Sequence, residues 1–332
     1  MNETTSNSTP SIWLLLDDRA GNRSQCLGVA EALGLPYETK ELSYSWMGKL
    51  PNSLLGAGFL GITRDCIETL NPPWPDLVIA AGRRTASVAR RIKRLSSGKT
   101  RLVQIMWPGP QGAGEFDLIA VPKHDDISDK PNIINILGSP HKVTYEYLET
   151  IRSEWMTRFQ DLPQPRIALI VGGSTKNRSF TKAMAEELGS LASTMANQAG
   201  GSLLVSTSRR TGEAADSLIK AISAPAIVFR WGDSGENPYS AYLACADAIV
   251  VTGESMSMCS EACSGLGPVY IYAPDGLITA KHQRLHDDLF KNGYARPFDG
   301  QYKDWQHPPV NSALEVADAI RERLLSGVSR HA

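Results

Sequence analysis

The chain has no run of about 18 apolar residues, so no membrane-crossing helix is expected. Its five cysteines, Cys26, Cys66, Cys245, Cys259 and Cys263, form no C-x-x-C pair. Cys259 and Cys263 share a helical face, where a disulfide is geometrically unfavourable. Reduced, mostly buried thiols in a cytoplasmic protein are the expectation, with no metal site. Charge of one sign is also missing: the net charge of −1 argues against a general nucleic-acid binder. The turn after the first apolar run lacks GxGxxG, no Tyr-x-x-x-Lys pair occurs, and no D-x-D pair stands out. A dehydrogenase-type epimerase is therefore disfavoured, and no cofactor is expected. The first ten residues, MNETTSNSTP, lack a basic n-region and read as a disordered tail (1–10) rather than a signal peptide.

What is present is an ordinary globular composition. Hydrophobic residues make up 42% and charged residues 21%, so a packed core is affordable, and 332 residues give a soft prior of two domains. Short apolar runs alternate with helical patterns. Residues 12–16 form an uninterrupted apolar run, as in a strand buried on both faces of a parallel sheet, and a helix over 24–33 follows. The same rhythm recurs at 76–81, 102–106, 118–121 and 133–137. The segment 160–165, QDLPQP, reads as a linker. After it come strands at 166–171, 202–206, 226–229, 248–251 and 269–272. The predicted layout is two Rossmann-like α/β domains, 11–160 and 161–309, with parallel sheets facing across a cleft. A C-terminal helix within 310–332 packs back on the first domain. In such sheets ligands bind beyond the carboxyl ends of the strands.

The stretch 247–268, DAIVVTGESMSMCSEACSGLGP, organises the functional reading. A strand breaks at Gly253-Glu254-Ser255 and feeds a helix through Met256 and Ser257, aiming backbone N–H groups at one spot suited to an anion. Glu261 is a single carboxylate on that helix. Gly172-Gly173-Ser174 lacks the GxxxxGK[ST] pattern, so Walker chemistry is rejected, but its amides can hold a phosphate. Arg209 and Arg210 follow another strand and suit bidentate phosphate contacts, with Lys176 a weaker candidate. A base for an acceptor hydroxyl is sought among Asp17, Asp18, His124 and His141. Asp18, directly at a strand end, ranks first and His124 second; the bland alternative for each is a turn-stabilising or packed residue.

Two further stretches have alternative readings. Residues 44–62 crowd Trp46, Leu54, Phe59 and Leu60 into a Gly- and Pro-broken segment. It is either a loop tucked against the core or an exposed apolar lip for a lipid acceptor or a membrane face. The helix opening at Arg83 carries Arg84, Arg90, Arg91, Lys93 and Arg94, a solvated face or a contact for anionic lipid.

From 228 to 268 the order is strand, loop, an aromatic helix ending in Ala246-Asp247, strand, TGES, SEA and GLGP, then VYIY, His282-Gln283 and Gly293. This resembles the donor half of two-domain (GT-B) glycosyltransferases, in particular the lipid-linked N-acetylglucosaminyltransferase of peptidoglycan synthesis. The resemblance implies that Glu261 holds the donor ribose and that the turn around Ser255 holds the diphosphate. It places Phe229 and Trp231 where backbone meets the nucleobase, and Gln283 on the donor sugar. It also shows departures. His286 stands where that family has Asn, and the loop Asp17–Asn22, containing Gly21, ends in Asn22 rather than the expected His. Over nearly its whole length the chain also resembles the family named after plant proteins needed for mitochondrial fission, which has many bacterial members. The matching marks are LDDRAGNRSQ, AAGRRT, VPKHD, NIINILGSPHKVT, LIVGGSTK, SRRTG and VVTGESMSMCSEA. Its bacterial members are often called nucleoside-diphosphate-sugar epimerases.

The expected function is a metal-independent, nucleotide-sugar-dependent glycosyltransferase-like activity with a lipid-linked acceptor, peripheral on the inner membrane face. Two alternatives stay open. One is a nucleoside-diphosphate-sugar epimerase or hydrolase on the same fold. The other is a non-catalytic scaffold that kept the nucleotide pocket.

Overall fold

The computed structural model describes residues 9–325. Most of the tail expected over 1–10 lies outside the described residues, as does the end of 310–332. The chain forms two compact units: one takes the described residues through Lys142 and again from Asn311, the other spans Val143–Val310.

The first unit runs β1 (Ile12–Leu16), α1 (Ala20–Leu33), β2 (Glu38–Glu41), α2 (Asn52–Leu55), α3 (Arg64–Glu68), β3 (Leu77–Ala81), α4 (Arg83–Leu95), β4 (Arg101–Ile105), β5 (Leu118–Pro122) and β6 (Ile133–Ile136). These six strands form one parallel sheet in the order β2-β1-β3-β4-β5-β6. All five residues of β1 are buried because their alternating side chains enter two different cores. Ile12, Leu14 and Leu16 pack with α1 on one face, and Trp13 and Leu15 with α4 on the other. Full burial of such a side chain contributes about 1.5–3 kcal/mol.

The basic helix α4 is not a free cationic stripe. Arg90 reaches Glu115 at 2.6 Å, Arg94 reaches it at 3.1 Å, and Lys93 reaches Asp117 at 2.7 Å. Burial works against the Glu115 charge, but these two arginines outweigh it and hold its carboxyl below the usual range. Arg83 donates to the Leu50 carbonyl at 2.5 Å, and Arg91 is left exposed. The lipid-contact reading of this helix loses its charges to these internal pairs.

Residues 44–62 combine both expectations. Leu55 and Ile62 are buried, and Phe59 packs against the core. Trp46 is 74% exposed, Leu54 64% and Leu60 49%, so an apolar lip faces outward.

The second unit runs α5 (Tyr145–Trp155), β7 (Arg166–Val171), α6 (Lys182–Gln198), β8 (Ser202–Thr207), α7 (Ala214–Lys220), β9 (Ala226–Phe229), α8 (Tyr239–Cys245), β10 (Ala248–Thr252), α9 (Met256–Ala262), β11 (Val269–Tyr272), α10 (Ala280–Lys291) and β12 (Arg296–Pro297). Its sheet is also parallel, in the order β12-β11-β10-β7-β8-β9. The boundary lies at Lys142/Val143 rather than near 160, because α5 is tied to the second unit by aromatic packing. Trp155 stacks on Phe159 at 6.2 Å, and Phe159 meets Tyr242 of α8 edge-on at 5.8 Å. The last helix, α11 (Ser312–Leu324), belongs to the first unit. Its Val316 and Ile320 share a core with Val29 and Leu33 of α1, and Arg321 donates to the Leu33 carbonyl at 3.0 Å.

All five cysteines are buried free thiols. No helix among the described residues is long and apolar enough to cross a membrane.

Candidate functional site

Strand order reverses between β7 and β10 in the second unit, so the carboxyl ends of these strands open a crevice. The structure brings Gly172, Gly173, Arg210, Gly253, Glu254 and His282 to it. Gly172 donates its amide to Thr252 Oγ1 at 2.8 Å, and Gly173 donates to Glu254 Oε1 at 2.6 Å. Ser174 donates to the Arg210 carbonyl at 2.9 Å, and its hydroxyl caps Phe180. The three amides expected to hold phosphate are thus already used by the chain. The anion held in this turn is Glu254 itself. Its side chain is fully enclosed, and Arg210 Nη2 lies 3.5 Å from Oε1. Burial pushes the Glu254 carboxyl up, against the pull of the Gly173 amide and the Arg210 guanidinium. Oε2 has no hydrogen-bond partner among the described residues.

Only glycine fits this turn. A Cβ on Gly172 would lie 2.0 Å from Glu254 Oε1. Gly173 has φ 129°, and its Cβ would come within 2.3 Å of the Arg210 backbone.

His286, from the second turn of α10, supports the crevice from below. It is 1% exposed, and its Nε2 lies 2.9 Å from the Gly253 carbonyl. Burial lowers its pKa to about 4, so the ring is neutral and donates Nε2–H to that carbonyl. His282 lies one turn earlier on α10. Burial, then Lys281 and Arg210, hold its pKa down. Its Nδ1 accepts the Thr279 amide at 3.1 Å and caps the helix.

Glu261 sits in the last turn of α9, half-buried, and accepts a hydrogen bond from the Tyr239 hydroxyl. Ser255, Met256 and Ser257 open the same helix and are half-buried. The remaining sequence-predicted residues are less engaged. Arg209 is exposed. Gln283 is exposed and turned to Asp287 on its own helix at 2.7 Å. Phe229 ends the edge strand β9, and the Trp231 ring is 59% exposed. The Trp231 amide is consumed by Thr207 Oγ1 at 2.9 Å, which removes it as a backbone donor to a base. A 540 Å³ cavity in this unit lies at the opposite, amino ends of the strands, between Arg152, Asp247 and Trp305. Among the described residues no three His, Cys, Asp or Glu side chains converge as a metal set.

In the first unit the order reverses between β1 and β3, and Asp17 fills that crevice. Its carboxylate accepts from the Arg19 amide at 3.0 Å, Asn22 Nδ2 at 2.9 Å and Arg84 Nη2 at 3.0 Å. The Arg84 guanidinium stacks 4.1 Å above the Tyr44 ring and also contacts Asp18. Asn22 is buried against Gly82, and Gly21 in the first turn of α1 is exposed. Of the two base candidates, Asp18 is open to solvent. His124 is 2% exposed in the turn after β5, enclosed beside Asp125, which takes it away from any incoming hydroxyl.

Sequence reasoning missed Tyr239 and Arg84 as parts of these sites and noted His286 only as a departure from the glycosyltransferase motif. His286 carried a signal, its i, i+4 spacing from His282. Tyr239 lies 22 positions from Glu261 and carried none.

Two parallel α/β units with crevices at their switch points are the architecture of the GT-B fold, and solved structures share it. UDP-GlcNAc 2-epimerase from Methanocaldococcus jannaschii superposes with a TM-score of 0.57 at 13% identity, covering 94% of this chain and 99% of its own. MurG of Acinetobacter baumannii gives 0.53 at 13% identity, covering 94% and 100%. Likeness at this identity is one of fold. The sequence profile of the family "Mitochondrial fission ELM1" matches residues 20–324, and the chain belongs to that family. A Rickettsia prowazekii protein, RP120, is 31% identical over 94% of this chain and 98% of its own length. The mitochondrial fission protein ELM1 of Arabidopsis thaliana is 30% identical over 82% of this chain and 69% of its own.

Proposed function

We propose that the second unit binds a nucleoside-diphosphate sugar and that the protein is a glycosyltransferase-like enzyme acting without a metal on a lipid-linked acceptor. The observation that carries this reading is the fixed carboxylate of Glu261 on the helix following the switch-point strand β10. There it can accept hydrogen bonds from ribose hydroxyls, each contributing about 1.5–3 kcal/mol to a charged acceptor. With the Gly-Gly-Ser amides occupied, the diphosphate falls to Arg210 and to the amides opening α9. The same groups would stabilise the leaving diphosphate. Asp18 is the accessible carboxylate for the acceptor proton. The exposed lip of Trp46, Leu54 and Leu60 supports a lipid-linked acceptor and a peripheral place on a cytoplasmic membrane face. The similarity to a MurG and to UDP-GlcNAc 2-epimerases supports a nucleotide-sugar ligand and favours neither chemistry.

A second reading is a nucleotide-binding scaffold without turnover, in keeping with the fission name of the Arabidopsis relative. It is favoured by the enclosure of Asp17, His124 and His141, which leaves Asp18 as the accessible candidate, and by the contact of Asp18 with Arg84. Incubation with UDP-, GDP-, dTDP- and ADP-sugars, with and without a polyprenyl-phosphate acceptor and EDTA, separates the readings. Sugar transfer to the lipid in EDTA supports the first. Free nucleotide or an epimer without acceptor indicates hydrolysis or epimerisation. Binding with no product indicates the scaffold.

A further inference from the structure

The aromatic helix before the central stretch has no part in the function proposed above, yet its first residue touches the site. Tyr239 opens α8, immediately after Pro238, and its amide is capped by Asn237 Oδ1 at 3.1 Å. The helix is anchored behind it by Ala241, Tyr242, Leu243, Ala244 and Cys245, all buried. The Tyr239 backbone is therefore fixed, and its hydroxyl reaches across to Glu261 Oε2 on α9. Tyrosine has two side-chain torsions, so a phenol rooted in a packed helix holds its partner with little freedom.

We infer that Tyr239 is a positioning residue that orients the Glu261 carboxylate through Oε2 and so contributes to a preference of the site for a ribose over a deoxyribose ligand. The inference rests on the nucleotide-binding reading above. A carboxylate that turns freely accepts from water as readily as from a ligand. One pinned at Oε2 presents a fixed set of acceptor directions to a 2′-hydroxyl. The phenol can serve only as a donor here. Burial first, and then the neighbouring Glu261 charge, push its ionisation far above the ordinary range, so the phenol keeps its proton and donates it to Glu261.

The role differs from simple packing in what it controls. A packing defect at Tyr239 would weaken every ligand equally, whereas loss of orientation weakens the ribose form selectively.

The test is titration calorimetry of the full chain with UDP, GDP and ADP and with their 2′-deoxy counterparts. It compares wild type with Tyr239→Phe, Glu261→Ala and the double variant. Wild type is expected to favour the ribose form of its nucleotide by about tenfold or more, the size of one hydrogen bond to a charged group. Tyr239→Phe should reduce that ratio to about threefold or less while leaving the melting temperature nearly unchanged. In the Glu261→Ala background, Tyr239→Phe should change the ratio no further. A Tyr239→Phe protein with the wild-type ratio overturns the inference and leaves nucleotide binding intact. An equal loss for ribose and deoxyribose forms assigns Tyr239 to packing and overturns it too. If wild type binds none of the six nucleotides, the binding reading itself fails and this inference falls with it.

Discussion

Glu254 Oε1 lies 2.6 Å from the Gly173 amide nitrogen, so the turn that could hold a phosphate holds a carboxylate of the chain instead. Arg210 pairs with the same Glu254 oxygen at 3.5 Å, and in the first unit Arg84 pairs with Asp17 at 3.0 Å at its switch point. Each unit fills its own crevice with an acid and an arginine. On the proposed reading the diphosphate is then met by Arg210 and the amides opening α9 rather than by the Gly172-Gly173-Ser174 amides.

The Glu254 turn predicts a pattern of coupled substitutions. Glu254→Ala should cost about 1–3 kcal/mol, because it leaves the Gly173 amide buried without an acceptor. Gly172→Ala drives a Cβ into the Glu254 carboxylate, so its cost should shrink in the Glu254→Ala background. Gly173→Ala meets backbone and requires φ 129°, so no such relief is expected. Urea unfolding of wild type, the three single variants and the two double variants checks this.

His286 predicts a pH dependence of stability. Its pKa is about 4 folded against 6.5 unfolded, so the folded state prefers the neutral ring. The stabilising contribution is complete above pH 6.5 and is lost as pH falls toward 4, amounting to about 3 kcal/mol in all. His286→Asn should remove that part of the slope. Urea midpoints between pH 4 and 7.5 that fall equally steeply for both proteins would contradict the assignment.

Much of this was legible beforehand. The apolar runs at 12–16, 166–171 and 248–251 announced buried parallel strands, and the rhythm of 228–272 announced a second Rossmann-like half. The boundary was misplaced because Pro163 and Pro165 mark a turn inside the second unit, whereas the aromatic contacts that assign α5 are long-range. The Gly-Gly-Ser turn was legible as an amide cluster. That Glu254, 81 positions away, would occupy it depends on which strands become neighbours, and no local pattern encodes that. The charges of α4 looked free for the same reason: Glu115 and Asp117 arrive from the far side of β4.

Asp17 and Asp18 should behave oppositely. Arg84→Met removes the partner of an enclosed carboxylate and should cost about 3 kcal/mol or more. Asp18→Asn, at an exposed side chain, should change the melting temperature little. If Asp18 takes the acceptor proton, Asp18→Asn should lower turnover by about 100-fold or more.

The lip predicts a separation between surface and core. Trp46→Ser with Leu54→Ser should abolish flotation with anionic liposomes at an unchanged melting temperature. Phe59→Ser, which opens the core, should lower the melting temperature instead. Wild type that fails to float would remove the lip from the account.

The central claim is that nucleotide binds beside Glu261, and its most direct test is a thermal-shift titration with UDP, GDP, dTDP and ADP. At least one should raise the wild-type melting temperature by several degrees at a hundredfold excess over its Kd, the effect of about 2.7 kcal/mol of binding free energy. Glu261→Ala should abolish most of that shift. No shift with any of the four at millimolar concentration, or an equal shift in Glu261→Ala, would contradict it.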